Sequence, residues 1–164
     1  MKFKKAEVGD IALIQELARE SWQVAYKSIL SEEQIHYMLE TMYSEAVLKL
    51  QLAQKYYRYY IVLEETGLAV GFLGFEHHYG PLTTKLHRIY LLPSIQGKGY
   101  GSKAIEFLKQ NTRKEGDTRI VLNVNKNNRA RKYYEQNGFQ IYDQGVFDIG
   151  NGFVMDDYLM EFTF

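Results

Sequence analysis

The segment Gln96-Gly97-Lys98-Gly99-Tyr100-Gly101-Ser102 carries the sharpest chemical signal in the chain. Three glycines on alternate positions let the backbone turn tightly, with its N–H groups pointing inward and no side chain in the way. An amphipathic helical pattern follows, stopped at Gly116. A helix start adds free N–H donors and a partial positive charge. Together these features make an anion site, most naturally for a pyrophosphate. Lys98 adds charge from the rim. A dinucleotide loop needs G-x-G-x-x-G after the first strand of a βαβ unit, and a P-loop needs G-x-x-x-x-G-K-[ST]. Neither spacing is present. A tight turn that binds nothing is the remaining reading of the glycines alone.

Ionisable side chains supply the second signal. His87 sits on a strand leading to the glycine loop, and its ordinary pKa near 6.5 suits a proton acceptor at neutral pH. A histidine satisfied within the structure fits the same position. Strict alternation puts Lys85, His87, Ile89 and Leu91 on one face and Leu86, Arg88 and Tyr90 on the other. Glu76, His77 and His78 are secondary candidates for a base. A metal site at His77 and His78 is not expected, because adjacent strand residues face opposite ways and no third ligand is evident. Tyr133 and Tyr134 stand about 100° apart on a helix, so only one of them faces a given ligand.

The composition bounds the rest. The chain has 164 residues, with 20 Lys+Arg against 20 Asp+Glu and no cysteine. That length suits a single domain spanning 1–164. Zero net charge removes the global basic field of a non-specific nucleic-acid binder. Without cysteine there is no disulfide framework, no thiolate metal site and no cysteine nucleophile. No apolar run reaches the length of a membrane span, and the start MKFKKAEVGD lacks the apolar stretch of a signal peptide. A cytoplasmic protein is expected.

The elements that would hold these residues follow from periodicity. Residues 2–7 read as a short strand, and Asp10 can cap a helix with Ile11, Ile14, Leu17 and Ala18 on one face. Ser31 and Gln34 form a capping-box pattern, with Ile35, Met38, Leu39, Met42, Ala46 and Leu50 continuing as one long helix. KYYRYYIVLEE and LAVGFLGFEHH read as strands joined at Thr66-Gly67, and KLHRIYLLP as a third strand ended by Pro93. RIVLNVN reads as a buried strand. Asn127 or Asn128 caps a helix ending at Asn137-Gly138, and two strands close the chain. This order predicts an α/β, α+β layered fold: a mixed, mostly antiparallel sheet of about seven strands with helices on both faces.

The loop and a second block resemble a known family, the GCN5-related N-acetyltransferases. Gln96, Gly99 and Gly101 meet its Q/R-x-x-G-x-G/A signature. Asn127, Ala130, Tyr134, Gly138 and Phe139 match N-x-x-A-x-x-x-Y-x-x-x-G-F. The resemblance covers residues 85–142 closely and the whole chain in outline.

It implies a splayed sheet, acetyl-CoA as co-substrate and no metal. It implies that the amides of residues 97–102 hold the pyrophosphate and that Ile89, Tyr90 and Leu91 offer backbone hydrogen bonds to the pantetheine arm. Asn127 would bond that arm, and Tyr134 would lie by the sulfur as general acid. The amide of Leu91 would help stabilise the carbonyl oxygen. A lysine-like amine of pKa near 10.4 needs about 4.6 kcal/mol to reach its neutral form at pH 7, whereas a thiol of pKa about 8.5 needs only about 2 kcal/mol of help to leave protonated. Deprotonation is the larger problem. Relatives that acetylate protein N-termini carry a Glu at the position of Asn123, which is no base; His87 is the candidate here. Direct attack by the amine is expected.

The acceptor half is loosely similar to the spermidine/spermine branch. Asp143, Asp148, Asp156, Asp157 and Glu161 would suit a polycation. A small-molecule primary amine is the expected acceptor, with a protein lysine or N-terminal acetyltransferase and a non-catalytic acetyl-CoA sensor as alternatives. No nucleic-acid or membrane partner is expected, and a homodimer is compatible with the sequence.

Overall fold

Ser44 interrupts the helical pattern that runs on from Ser31. Its hydroxyl accepts the amide of Val47, just as Ser31 accepts that of Gln34, so each serine caps its own helix. The computed structural model, which describes all 164 residues, accordingly places three helices early in the chain: α1 (Ile11–Ala25), α2 (Glu32–Met42) and α3 (Glu45–Ala53). The expected single long helix is two, because Tyr43 closes α2 with its amide on the Leu39 carbonyl. Asp10 precedes α1 without capping it. Its carboxylate turns back to the Glu7 amide and to Lys4 instead.

Seven strands complete the order: β1 (Lys2–Lys5), β2 (Tyr57–Leu63), β3 (Ala69–Gly80), β4 (Thr83–Leu91), β5 (Arg119–Asn125), β6 (Gln140–Gly150) and β7 (Phe153–Thr163). Helix α4 (Tyr100–Glu115) links β4 to β5, and α5 (Ala130–Gln136) follows β5. They form one sheet in the order β1-β2-β3-β4-β5-β7-β6. Only β4 and β5 run parallel, as a strand–helix–strand crossover requires.

Two cores flank this sheet. Ile14, Leu17, Trp22, Leu48, Tyr59 and Phe72 pack on the face covered by α1–α3. Leu73, Phe75, Ile105, Leu108, Ile120 and Phe139 pack on the face covered by α4 and α5. Burial of each such side chain stabilises the fold by roughly 1.5–3 kcal/mol. Successive residues of β3 alternate between the cores, Phe72 in one and Leu73 in the other, which explains why that strand is apolar almost throughout. The edge strand β6 is exposed along most of its length. No helix is long and apolar enough to cross a membrane.

One irregularity shapes the middle of the sheet. Gly74 pairs with Arg88 and Phe75 with Leu86, so His87 is an extra residue in β4, a β-bulge. A bulge bends its strand and adds twist. The pairing of β4 with β5 ends at the same point, at Leu86–Leu122. Beyond it β3 keeps hold of β4, and β7 keeps hold of β5 out to Asn125. The two central strands therefore part, and a cleft opens at their C-terminal ends.

Candidate active site

The cleft is bounded by the two loops that leave those strand ends, where open α/β sheets place their ligands. After β4, Pro93–Ile95 makes a short 3-10 turn, and Gly97 and Gly99 follow with φ of +77° and +76°. Residues with side chains rarely adopt these angles. The space a side chain would enter at either position is open, with no protein atom within 4 Å. Gly101 is needed for a different reason: a β-carbon there would stand 2.8 Å from the Tyr133 hydroxyl. Helix α4 begins at Tyr100, inside the glycine segment.

The amides around this bend divide into two sets. Lys98 donates to the Ile95 carbonyl and Lys103 to that of Gly99, whereas Gly97, Gly99, Tyr100, Gly101 and Ser102 have no backbone acceptor. These five are the orphan donors of a bend and a helix start. They border a cavity of about 860 Å³. Lys98 contributes less than expected. Its amide is committed to the turn, and its ammonium lies 3.9 Å from Glu64.

A narrower arm of about 200 Å³ continues between the parted strands, lined by Ile89, Tyr90 and Leu91 from β4 and Asn123 from β5. Gln96, Asn128 and Tyr134 border both spaces, so the two are neighbours. From His87 to Leu91 the side of β4 that faces β5 has no strand partner, so its peptide groups are open to a ligand lying along it. Asn127 lies in the second loop, on the wall of the larger cavity. The expected helix cap is its neighbour: the Asn128 side chain accepts the Ala130 amide, while the Asn127 amide donates to the Asn125 side chain.

Tyr134 is 8% exposed and points to where the two spaces meet. Burial, reinforced by Tyr26 and Tyr133, pushes its pKa far above the ordinary phenol value, so the hydroxyl keeps its proton throughout the neutral range. Across the arm, the hydroxyls of Tyr26 and Tyr90 lie 3.1 Å apart. Tyr133 packs against the glycine bend, and burial raises its pKa to about 12.

His87 differs from expectation in direction. The bulge shifts the alternation of β4 by one. Ile89 and Leu91 pack towards α4, while Arg88 meets Tyr43 and Tyr59 and His87 stacks on Tyr57, all towards α1–α3. His87 therefore shares a face with Arg88 and Tyr90, not with Ile89 and Leu91. Its Nε2 lies 2.9 Å from Glu76 Oε2. An ionised carboxylate accepts, so the imidazole carries its hydrogen on Nε2 and keeps a free lone pair on Nδ1. Burial lowers the His87 pKa, the Glu76 hydrogen bond opposes this, and Lys85 and Arg88 add to the lowering.

Arg88 itself was not legible as a site residue. Its guanidinium is buried, donates to the Tyr59 hydroxyl and the Met42 carbonyl, and lies 4.1 Å over the Tyr43 ring, with no carboxylate beside it.

His77 and His78 lie at the other end of β4's pairing. The expectation that they face opposite ways fails because His78 adopts φ +53°. Both rings approach Asp117, at 3.9 Å and 2.9 Å. His77 donates to the Thr84 hydroxyl, which donates to Asp117. No cluster of three or more His, Cys, Asp or Glu side chains is arranged to hold a metal. The C-terminal acids disperse as well: Glu161 pairs with Arg119, Asp156 with Lys126, and Asp143 and Asp148 accept the amides of Gln144 and Gly150 within β6.

Residues 12–139 match the acetyltransferase (GNAT) family. The chain belongs to that family. It is accordingly an N-acetyltransferase with acetyl-CoA as its donor. The spermidine N(1)-acetyltransferase of Thermoplasma acidophilum is 26% identical over 167 residues, covering 95% of this chain and 96% of that one. Among solved structures, PaiA N-acetyltransferase from Thermoplasma acidophilum in complex with coenzyme A superposes with a TM-score of 0.85 at 24% identity, over 99% and 98% of the two chains. A spermidine N-acetyltransferase SpeG chimera from Vibrio cholerae and hSSAT gives 0.76 at 22% identity, over 99% and 94%. Both share the GNAT fold with this chain. The five free amides, the open space at Gly97 and Gly99 and the unpartnered side of β4 fit the donor's diphosphate and its extended arm.

Proposed function

We propose that this acetyltransferase acts on the primary amine of a small, slender molecule, with a polyamine such as spermidine as the leading acceptor. The observation that carries this reading is the likeness to the Thermoplasma acidophilum relative, which is similar along nearly its whole length and named for spermidine.

In this reading the amides of Gly97 and of residues 99–102 hold the diphosphate, and Lys98 holds the bend through its own turn bond. Gln96 and Asn127 flank the arm, and the β5-facing peptides of Ile89, Tyr90 and Leu91 align it. Acetyl-CoA, when bound, supplies an acetyl group activated as a thioester. Tyr134 holds a proton on its phenol oxygen for the departing sulfur. The Leu91 amide is the donor for the developing negative charge on oxygen. His87 takes the amine proton at Nδ1, directly or through water, and Glu76 fixes the tautomer.

The test is CoA release with a panel of amines, peptides and proteins. Spermidine or a related diamine is expected to turn over, with peptides and proteins inert. Turnover on peptides or proteins alone would move the acceptor to the polypeptide class. Acetyl-CoA binding with no turnover on any acceptor would remove the small-amine assignment.

A His87→Ala variant checks the base. Because burial depresses its pKa below about 6.5, the imidazole is neutral and competent at pH 7. The variant is expected to lose about 100-fold in kcat/KM near pH 7. The deficit should shrink towards pH 10, where the acceptor deprotonates unaided. A loss of equal size at every pH, or none, removes His87 from this role.

A further inference from the structure

We propose that Asp157, buried on β7 next to the cleft-lining Asn123, is the anionic anchor for the acceptor's ammonium group. This assignment deepens the small-amine reading and rests on it. The pairing of β5 with β7 sets Asp157 opposite Asn125, on the sheet face that also carries Met155. That is the α1 face, the one on which His87, Arg88 and Tyr90 stand. Asn123, two residues back on β5, points to the same face and lines the inner arm.

The state of the carboxylate is what demands a ligand. Asp157 is 6% exposed, and its Oδ1 is buried without a hydrogen-bond partner. No cation lies within ion-pair distance; the adjacent Asp156 takes Lys126 at 3.0 Å on the opposite face. A purely structural buried carboxylate has its oxygens satisfied, because leaving one bare is expensive. An ammonium drawn in past Asn123 would supply the missing donors and charge together. The groups that face Asp157 are the Asn123 amide from β5, a donor to its carboxylate, and the Tyr26 phenol just past the end of α1, with Lys85 of β4 and Asp156 acting from farther away. Burial raises the Asp157 pKa, the response expected of an acid with no resident cation. Tyr26 and Tyr90 add ring faces towards the same space.

The position also accounts for Asn123. A carboxylate there would stand against Asp157, and two such charges in one buried site repel. Here β7 supplies the acid and β5 an amide.

The test uses the full chain with acetyl-CoA and spermidine. Asp157→Asn is isosteric, and is expected to raise the spermidine KM at least 10-fold while changing acetyl-CoA affinity less than twofold. The double variant Asn123→Asp/Asp157→Asn returns a carboxylate across the strand pair and should recover most of the lost KM. An unchanged spermidine KM in Asp157→Asn, or a loss confined to kcat, overturns the proposal. Should Asp157→Asn fail to fold, Asn123→Lys places an ammonium beside the intact Asp157. Its spermidine KM should exceed that of Asn123→Met at least fivefold, and equal values overturn the proposal. Wild-type turnover with an insensitive Asp157 rejects this assignment alone. Wild-type silence on every amine rejects the acceptor reading, and this one with it.

Discussion

A Gly99→Val variant is expected to lose at least 100-fold in acetyl-CoA affinity, about 2.7 kcal/mol, while remaining folded. The folding penalty is confined to the backbone. Gly99 has φ +76°, and forcing a side-chain residue into that region costs roughly 1–2 kcal/mol, or a few degrees of Tm in a chain of this size. No protein atom lies within 4 Å of the new β-carbon, so the protein's own packing does not resist it. The loss falls on the ligand, because the same open space is where the free amides converge. Gly116 makes the control. It closes the far end of α4 at φ +93°, also with no protein atom within 4 Å. Gly116→Val should suffer the same strain and bind acetyl-CoA normally. Calorimetric titration beside a thermal melt reads both quantities. Equal affinities for the two variants would place the diphosphate elsewhere.

Tyr134→Phe is expected to lower kcat about 100-fold, within the usual range for a general acid, with acetyl-CoA affinity nearly unchanged. The ring, which carries the packing, is retained. The raised pKa of Tyr134 comes from burial and from Tyr26 and Tyr133, with no hydrogen-bond contribution. Deleting the oxygen therefore leaves no protein group unsatisfied. The direction of that shift gives a second check. A phenol held above its ordinary pKa of 10.0 stays protonated up to at least that pH, so wild-type kcat should show no alkaline decline from this group below about pH 10. Stopped-flow turnover over the pH range measures it. A Phe variant with full kcat would leave the sulfur's proton to solvent.

The glycine bend was legible from sequence because its signal is local. Glycine spacing, a strand before it and a helix after it are all written in one short run. The seven-stranded mixed sheet followed from period and order for similar reasons. What escaped the sequence depended on pairing between distant segments. The break at Ser44 was masked because α3 resumes the apolar pattern almost in phase, although Ser44 itself was a readable cap. The direction of His87 was not readable, since a bulge is defined by the partner strand and β3 carries no mark of it. Asp157 looked like one of five C-terminal acids. Only the register against β5 turns it inward while Asp156 faces out to Lys126. Arg88 read as an ordinary polar strand residue, because its tyrosine surroundings come from β2 and the loop between α2 and α3.

The extra residue in β4 ties the groove and the imidazole to a single origin. Exchanging His87 for another side chain leaves the bulge, and so the parting of the strands, in place. Removing the position altogether would restore strict alternation with Ile89 and Leu91 still facing α4, and would draw β4 back alongside β5. A side-chain exchange at this point therefore carries small structural risk, whereas a change in chain length here would close the groove itself.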